Sequence, residues 1–169
     1  MAMKAHHPAL DIRQLTTVDL SQVLRIQAAC FLPQLHERED SFRSKLLLFP
    51  QGSLGCFCGL HLAAYVCAFP WRADAVVAFD SSPARLPDQP DAMYVHDLAV
   101  APEFRGKGCA SRLIQHVFRL GRSLGYRHYV LVAVQSSESF WNHYGFVRQA
   151  SLDYPDGMPA ARMLLIQKT

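Results

Sequence analysis

The spacing of apolar residues changes character three times between Met93 and Phe146, and each change marks an element. Tyr94 to Val100 is an extended, mostly apolar run. From Cys109 to Leu124 the apolar residues Ala110, Leu113, Ile114, Val117, Leu120 and Leu124 recur at helical spacing, while Arg112, Gln115, His116, Arg119 and Arg122 fall on the opposite face. Gly125 stands where a left-handed cap would end that helix. Tyr129 to Val134 is continuously apolar and rich in β-branched residues, as in a strand covered on both sides. Strand, turn, helix and buried strand predict a βαβ unit.

The remaining pattern predicts a first strand over Leu10 to Leu15. A capping box at Thr16 and Asp19 then opens a helix with the inner face Leu20, Val23, Leu24 and Ala28. A second helix is predicted from about Glu37 to Leu48, stopped by Pro50. Leu54 to Trp71 reads as a hairpin turning near Gly59 and Leu60. Ala73 to Pro90 reads as an irregular excursion. A short helix over Ser137 to Tyr144 and strands over Phe146 to Ala150 and Arg162 to Gln167 complete the expectation.

Within the βαβ unit, the turn from Arg105 to Ala110 carries the chemistry. It joins a strand to a helix start, so its backbone N–H groups converge where the helix dipole favours an anion. A Walker A loop does not fit, because Lys107 lies between the glycines and Cys109 follows them. A dinucleotide fingerprint does not fit either: Ser111 replaces the third glycine, and Arg127 and His128 occupy the region about twenty positions on where an acid is needed.

Composition narrows the class. The chain has 169 residues, half of them hydrophobic, which suits one folded domain over 1–169. A net charge of +3 does not suggest a nucleic-acid binder. The cysteines at 30, 56, 58, 67 and 109 are odd in number and sit among apolar neighbours, which reads as reduced thiols in a cytoplasmic protein. Cys56 and Cys58 lack a second ligand pair at metal spacing, so no metal is expected. The amino-terminal residues lack the apolar core of a signal peptide, and the greasy stretch from Leu54 to Trp71 is broken by Gly55, Gly59, His61 and Pro70, so no membrane role is expected.

Two motifs at the correct separation resemble the GNAT superfamily of N-acetyltransferases. Arg105, Gly108 and Ala110 match its acetyl-CoA loop, and Phe140-Trp141-Asn142-His143-Tyr144-Gly145-Phe146 is similar to its signature after the fifth strand. The strand over Val95 to Val100 looks most like the arylalkylamine (serotonin) N-acetyltransferases. The resemblance implies an α/β fold: a mixed sheet of about six to seven strands flanked by about four helices, around a central βαβ acetyl-CoA unit. It implies that Arg105, Gly106, Lys107, Gly108, Cys109, Ala110, Ser111 and Trp141 hold acetyl-CoA, with backbone N–H groups of Leu98 and Val100 on the acetyl carbonyl and pantetheine.

By period two, Tyr94, His96, Leu98 and Val100 share one strand face, with Asp97 on the other in a structural role. His96 suits deprotonation of an incoming amine, because imidazole titrates near neutrality. The related histidine of the serotonin-acetylating enzymes is implied to do this with help from a second histidine two residues earlier, a position held here by Tyr94. Trp141 stands where the superfamily commonly has its proton-donating tyrosine, and an indole cannot serve as an acid. Tyr144, on roughly the same helix face, is the candidate replacement. The expected activity is direct transfer from acetyl-CoA to a primary amine of a small molecule. Two alternatives remain: a protein or peptide N-acetyltransferase, which needs an open groove beside the last hairpin, and a noncatalytic acyl-CoA-binding module. The acceptor pocket is expected between Phe31 and Arg43 and between Trp71 and Asp91, with walls from Phe31, Leu32, Phe42, Phe69 and Trp71. Glu37, Glu39, Asp40, Asp74 and Asp88 are candidate attractants for a cationic amine. Homodimerisation stays open.

Overall fold

A computed structural model describes residues 9–168; the amino-terminal segment read above for a signal sequence lies outside them. Its strands are β1 (Leu10–Gln14), β2 (Ser53–Cys58), β3 (His61–Trp71), β4 (Ala92–Val100), β5 (His128–Ala133), β6 (Val147–Tyr154) and β7 (Met158–Ile166). Its α-helices are α1 (Leu20–Cys30), α2 (Glu39–Leu48), α3 (Cys109–Ser123) and α4 (Glu138–His143). The strands form one seven-stranded sheet in the order β1-β2-β3-β4-β5-β7-β6. β4 and β5 are its parallel pair and all other neighbours run antiparallel. This is the mixed sheet with four helices that the resemblance implies.

The helices cover both faces. Leu113, Ile114 and Val117 of α3 pack with Ala64, Val66, Ala68, Met93 and Val95 on one side. On the other, Leu20, Val23 and Ile26 of α1 and Phe42 and Leu46 of α2 pack with Phe57 and Tyr65. Each Val, Leu, Ile, Phe or Met among them, fully buried, contributes about 1.5–3 kcal/mol of transfer free energy.

Local signals act where expected. The Thr16 N–H donates to Asp19 Oδ2 at 2.9 Å, and the Asp19 N–H to the Thr16 carbonyl at 3.0 Å, starting the chain into α1. Gly125, with φ +85, closes α3: the Tyr126 N–H reaches Gly121 O at 2.9 Å and the Gly125 N–H reaches Arg122 O at 3.0 Å.

Several expectations are corrected. Helix α2 begins at Glu39, leaving Glu37 in the irregular segment before it. The inner face of α1 includes Ile26 and Gln27, and Ala28 is exposed. Gln27 tolerates burial because its amide clamps the Glu37 backbone, donating to the carbonyl at 3.0 Å and accepting from the N–H at 2.8 Å. Leu124 is exposed, since the Gly125 cap turns the chain away. Strands β6 and β7 are longer than expected, because Pro155, Asp156 and Gly157 build a tight turn between them rather than ending them.

The largest correction concerns β4. Cys67 of β3 pairs with Asp97, yet the next residue, Ala68, pairs with Val95, so His96 is an extra residue with no partner opposite. This β-bulge resets the alternation. Met93 and Val95 face α3, and after the bulge Leu98 and Val100 do. Tyr94 and then Ala99 face the α1 and α2 side. His96 stacks on Phe69 of that same side at 6.1 Å between ring centroids, and Asp97 accepts from Tyr65 there. Tyr94 and His96 therefore do not share a face with Leu98 and Val100, and Asp97 joins His96 instead of opposing it.

Candidate functional site

β4 and β5 pair only from Ala92 with His128 to Val95 with Leu131. Beyond Val95 they separate, and the gap opens into a cleft of about 570 Å³ between β4, the turn before α3, the end of β5 and α4. Every residue that the sequence assigns to coenzyme binding except Lys107 lines it: Leu98, Val100, Arg105, Gly106, Gly108, Cys109, Ala110, Ser111 and Trp141. Lys107 is exposed on the turn, its ammonium 4.9 Å from the Phe104 ring centroid.

The turn is built for close approach. Gly106 and Gly108 have φ of +74 and +80, and a Cβ added at either would meet no protein atom within 4 Å. The first α3 amide with a main-chain partner at this end is that of Arg112, donating to Gly108 O at 3.1 Å. The amides of Cys109, Ala110 and Ser111 precede that ladder and remain at the positive end of the helix dipole. These features fit a diphosphate. Cys109 itself is buried, with its thiol directed at the Phe104 carbonyl at 4.0 Å.

Tyr144 and Trp141 close the α4 side. The Tyr144 hydroxyl and Ser111 Oγ share a hydrogen bond of 2.7 Å, which brings a phenol to the first turn of α3. Trp141 is packed edge-on against Phe146 at 5.5 Å, so its ring is held as a wall.

A second, much smaller cavity of about 40 Å³ lies on the α1 and α2 side, among Gln27, Phe31, Leu35, Phe79, Val132 and Tyr154. His96 and Asp97 border both cavities. The bulge thus sets two ionisable side chains at the junction between the larger cleft and the smaller pocket.

His96 Nε2 lies 2.9 Å from Glu37 Oε1, with both side chains nearly fully buried. Its Nδ1 is a buried polar atom without a hydrogen-bond partner. Glu37 also accepts from Lys45 Nζ at 2.8 Å, from Ser41 Oγ at 3.1 Å and from the Asp80 N–H at 3.1 Å. Burial alone would raise the Glu37 pKa, but His96 and Lys45 outweigh it and hold the carboxyl down at about 2. Asp97 behaves oppositely. Withdrawal from water pushes it up to about 6, against the Tyr65 hydroxyl bond and the attraction of His96, which pull it down.

The other candidates for the acceptor side separate into three groups. Phe31 lines both cavities. Phe42 and Phe69 are buried core, against Tyr65 and beneath His96. Glu39, Asp74 and Asp88 pair with neighbouring Arg43, Arg72 and Arg85 on the surface, and Asp40 is exposed. Lys45 and Tyr154 lie outside the ranges expected for this region, and Phe79 falls within the expected Trp71 to Asp91 range without having been singled out. A signal for Lys45 exists: it falls between Phe42 and Leu46 on the inward stripe of α2, where a lysine needs a buried partner. Phe79 and Tyr154 come from an irregular loop and a strand end, which carry no such periodicity.

No cluster of His, Cys, Asp and Glu suited to a metal ion occurs among the described residues, and none of their helices is long and apolar enough to cross a membrane. No curated protein sequence matches the chain. Solved structures do match its fold. The GNAT-like decarboxylase GphF, in complex with isobutyryl-CoA, has a TM-score of 0.77 at 14% identity, covering 92% of this chain and 98% of that one. The polyamine N-acetyltransferase of Drosophila melanogaster, which forms N-acetylagmatine, gives 0.71 at 16%, covering 94% and 100%. The ribosomal-protein-S18-alanine N-acetyltransferase of Escherichia coli gives 0.70 at 18%, covering 95% and 96%. The model of the acetyltransferase (GNAT) family matches residues 20–146, which span both the bulged strand and the cleft, and the chain belongs to that family.

Proposed function

We propose that the protein is a single-domain N-acetyltransferase that moves an acetyl group from acetyl-CoA to a primary amine of a small molecule, by direct attack within a ternary complex. The observation that carries this reading is the unpartnered Nδ1 of His96, buried at the junction of the two cavities. Acetyl-CoA supplies the activated acyl group. The cleft side of the chain binds it: Arg105 and the amides of Gly106, Gly108, Cys109, Ala110 and Ser111 take the diphosphate, Trp141 walls the thioester end, and the backbone of Leu98 and Val100, free of β5, offers donors to the carbonyl.

The acceptor arrives as an ammonium ion. Asp97 attracts it, His96 Nδ1 takes its proton, and the nitrogen lone pair is released for attack. Tyr144, held by Ser111, stands as donor to the departing thiolate. The burial of the Cys109 thiol supports transfer without an acyl-cysteine.

A small acceptor is supported by the compact second pocket. The turn over Pro33–Leu35 packs against the Pro155–Gly157 turn, bridging the space a peptide would need beside the last hairpin. The test is mass spectrometry of products from acetyl-CoA with a panel of primary amines and of peptides. Amide formation on small amines, lost in His96→Gln, is expected. Acetylation of peptides alone would assign a protein acceptor. Coenzyme binding without transfer to any amine would leave a noncatalytic module.

A further inference from the structure

We propose that Glu37 and Lys45 form a positioning pair that locks His96 in a single tautomer, with hydrogen on Nε2 and the lone pair on Nδ1. The proposal rests on the reading of His96 as the base, and adds two residues that act through it.

The argument begins with valence. The Glu37 carboxylate has no proton to give, so the nitrogen 2.9 Å from its Oε1 must be the one bearing hydrogen. A neutral imidazole has one N–H, and the lone pair then falls on Nδ1, the atom that no protein group satisfies. Leaving a buried nitrogen unpartnered costs its full desolvation penalty. A ligand's proton is what would recover that cost.

Glu37 is unusually constrained for a residue outside regular structure. Gln27 grips its backbone from both sides, while the Asp80 N–H, Ser41 Oγ and Lys45 Nζ bind its carboxylate. The carboxylate cannot rotate to follow the imidazole, so the imidazole is held to it.

Lys45 has a separate effect, through charge. Its side chain is fully buried, and Glu37 and His96 expose 6% and 4% of theirs. With Lys45 present, the Glu37–Lys45 pair is neutral and does not by itself draw a proton onto His96. Without it, an isolated buried carboxylate would favour the imidazolium, which cannot act as a base. The other ionisable groups facing His96 are Tyr94 and Asp97 on β4, Tyr65 and Cys67 on β3, and Tyr154 on β6. Among them only Asp97 carries charge near neutrality, and it remains in every variant below.

The test uses the full chain labelled with nitrogen-15 at histidine, with Lys45→Met, Glu37→Gln and the double variant. In the unaltered protein the imidazole resonances should report hydrogen on Nε2. Lys45→Met should keep that pattern but raise the pH at which His96 takes up a second proton, and move the acidic limb of kcat/KM upward with it. Glu37→Gln should blur the tautomer and lower kcat about 10–100-fold with the KM for acetyl-CoA unchanged. The double variant removes both charges together and should restore the pH midpoint but not the full rate. A buried pair serving only stability would move none of these signals. Hydrogen on Nδ1 in the unaltered protein, or resonances and pH limbs that stay fixed in the variants, would overturn the proposal, and the first of these needs no variant to fold. The resonances are read without turnover. Loss of activity in His96→Gln together with the wrong tautomer in the unaltered protein would therefore sink this inference alone, and a fully active His96→Gln would sink the proposed base.

Discussion

The hydroxyl of Tyr65 donates to Asp97 Oδ2 at 2.6 Å, joining residues on two strands that a regular alternation of β4 would have kept on opposite sides of the sheet. The contact exists because His96 occupies a bulge. A carboxyl is thereby drawn into the compact pocket, where burial raises its pKa from 3.8 to about 6.

That shift has a sign that stability measurements can check. Because the folded state holds the Asp97 proton more tightly than the unfolded chain does, its contribution is fully present below about pH 3.8. It is lost as pH rises through about 6. Asp97→Asn removes this dependence. Melting temperatures of the two proteins, compared from pH 4 to 7, should diverge in favour of the variant as pH increases and become parallel above the upper value. Parallel curves throughout would show that Asp97 is not perturbed. The same variant should raise the KM for a cationic amine more than the KM for acetyl-CoA.

Replacing His96 by Gln should separate chemistry from binding. Loss of a positioned base costs about 10²- to 10⁴-fold in rate. Calorimetric affinity for acetyl-CoA should be retained, because the diphosphate is held by the turn from Arg105 to Ser111 and not by His96. A fall in both quantities together would indicate a damaged site rather than a missing base.

The parts of the fold legible in the sequence are those governed by local rules. Helical spacing fixes α3, Gly125 caps it, and the glycines of the turn at 105–108 take positive φ, where a glycine has little competition. The bulge at His96 has no comparable signature. Tyr94 to Val100 reads as an ordinary strand, and the slipped register arises from how β4 must meet both β3 and β5. Face assignments beyond that point therefore failed together, moving Leu98, Val100 and Asp97 at once. Glu37 was visible only as one acid among several. Its contact with His96 spans 59 positions, and nothing along the chain distinguishes it from Glu39, which is paired with Arg43 in solvent.

The anion turn offers a sharper comparison between two glycines. Gly108 has φ +80 and Gly59, between β2 and β3, has φ +62, and a Cβ at either would meet no protein atom within 4 Å. A side chain at each position carries a left-handed penalty of about 1–2 kcal/mol. Gly108→Val and Gly59→Val should consequently lower thermal stability to a similar degree. Only the former should weaken acetyl-CoA binding, by about tenfold or more, since its side chain enters the space in front of the α3 amides. Equal coenzyme affinity in the two variants would contradict the assignment of the turn.

Tyr144 tests whether the indole at 141 has displaced the superfamily's usual acid or left the step without one. Its hydroxyl is bonded to Ser111 Oγ at 2.7 Å, and its ring leans on Phe140 and Trp141 at 5.3 and 6.5 Å between centroids, so the phenol has both a fixed direction and a packing role. Tyr144→Phe keeps the packing and removes the proton. If the phenol protonates the leaving thiolate, kcat should fall by about tenfold or more while the KM for acetyl-CoA stays level. Ser111→Ala, which frees the hydroxyl without removing it, should produce a smaller loss in the same direction. Thioesters whose thiols have lower pKa need less help in leaving, so an acetyl donor built on such a thiol should recover most of the activity lost in Tyr144→Phe. An unchanged kcat with acetyl-CoA in that variant would assign Tyr144 to packing and leave the thiolate to depart unprotonated.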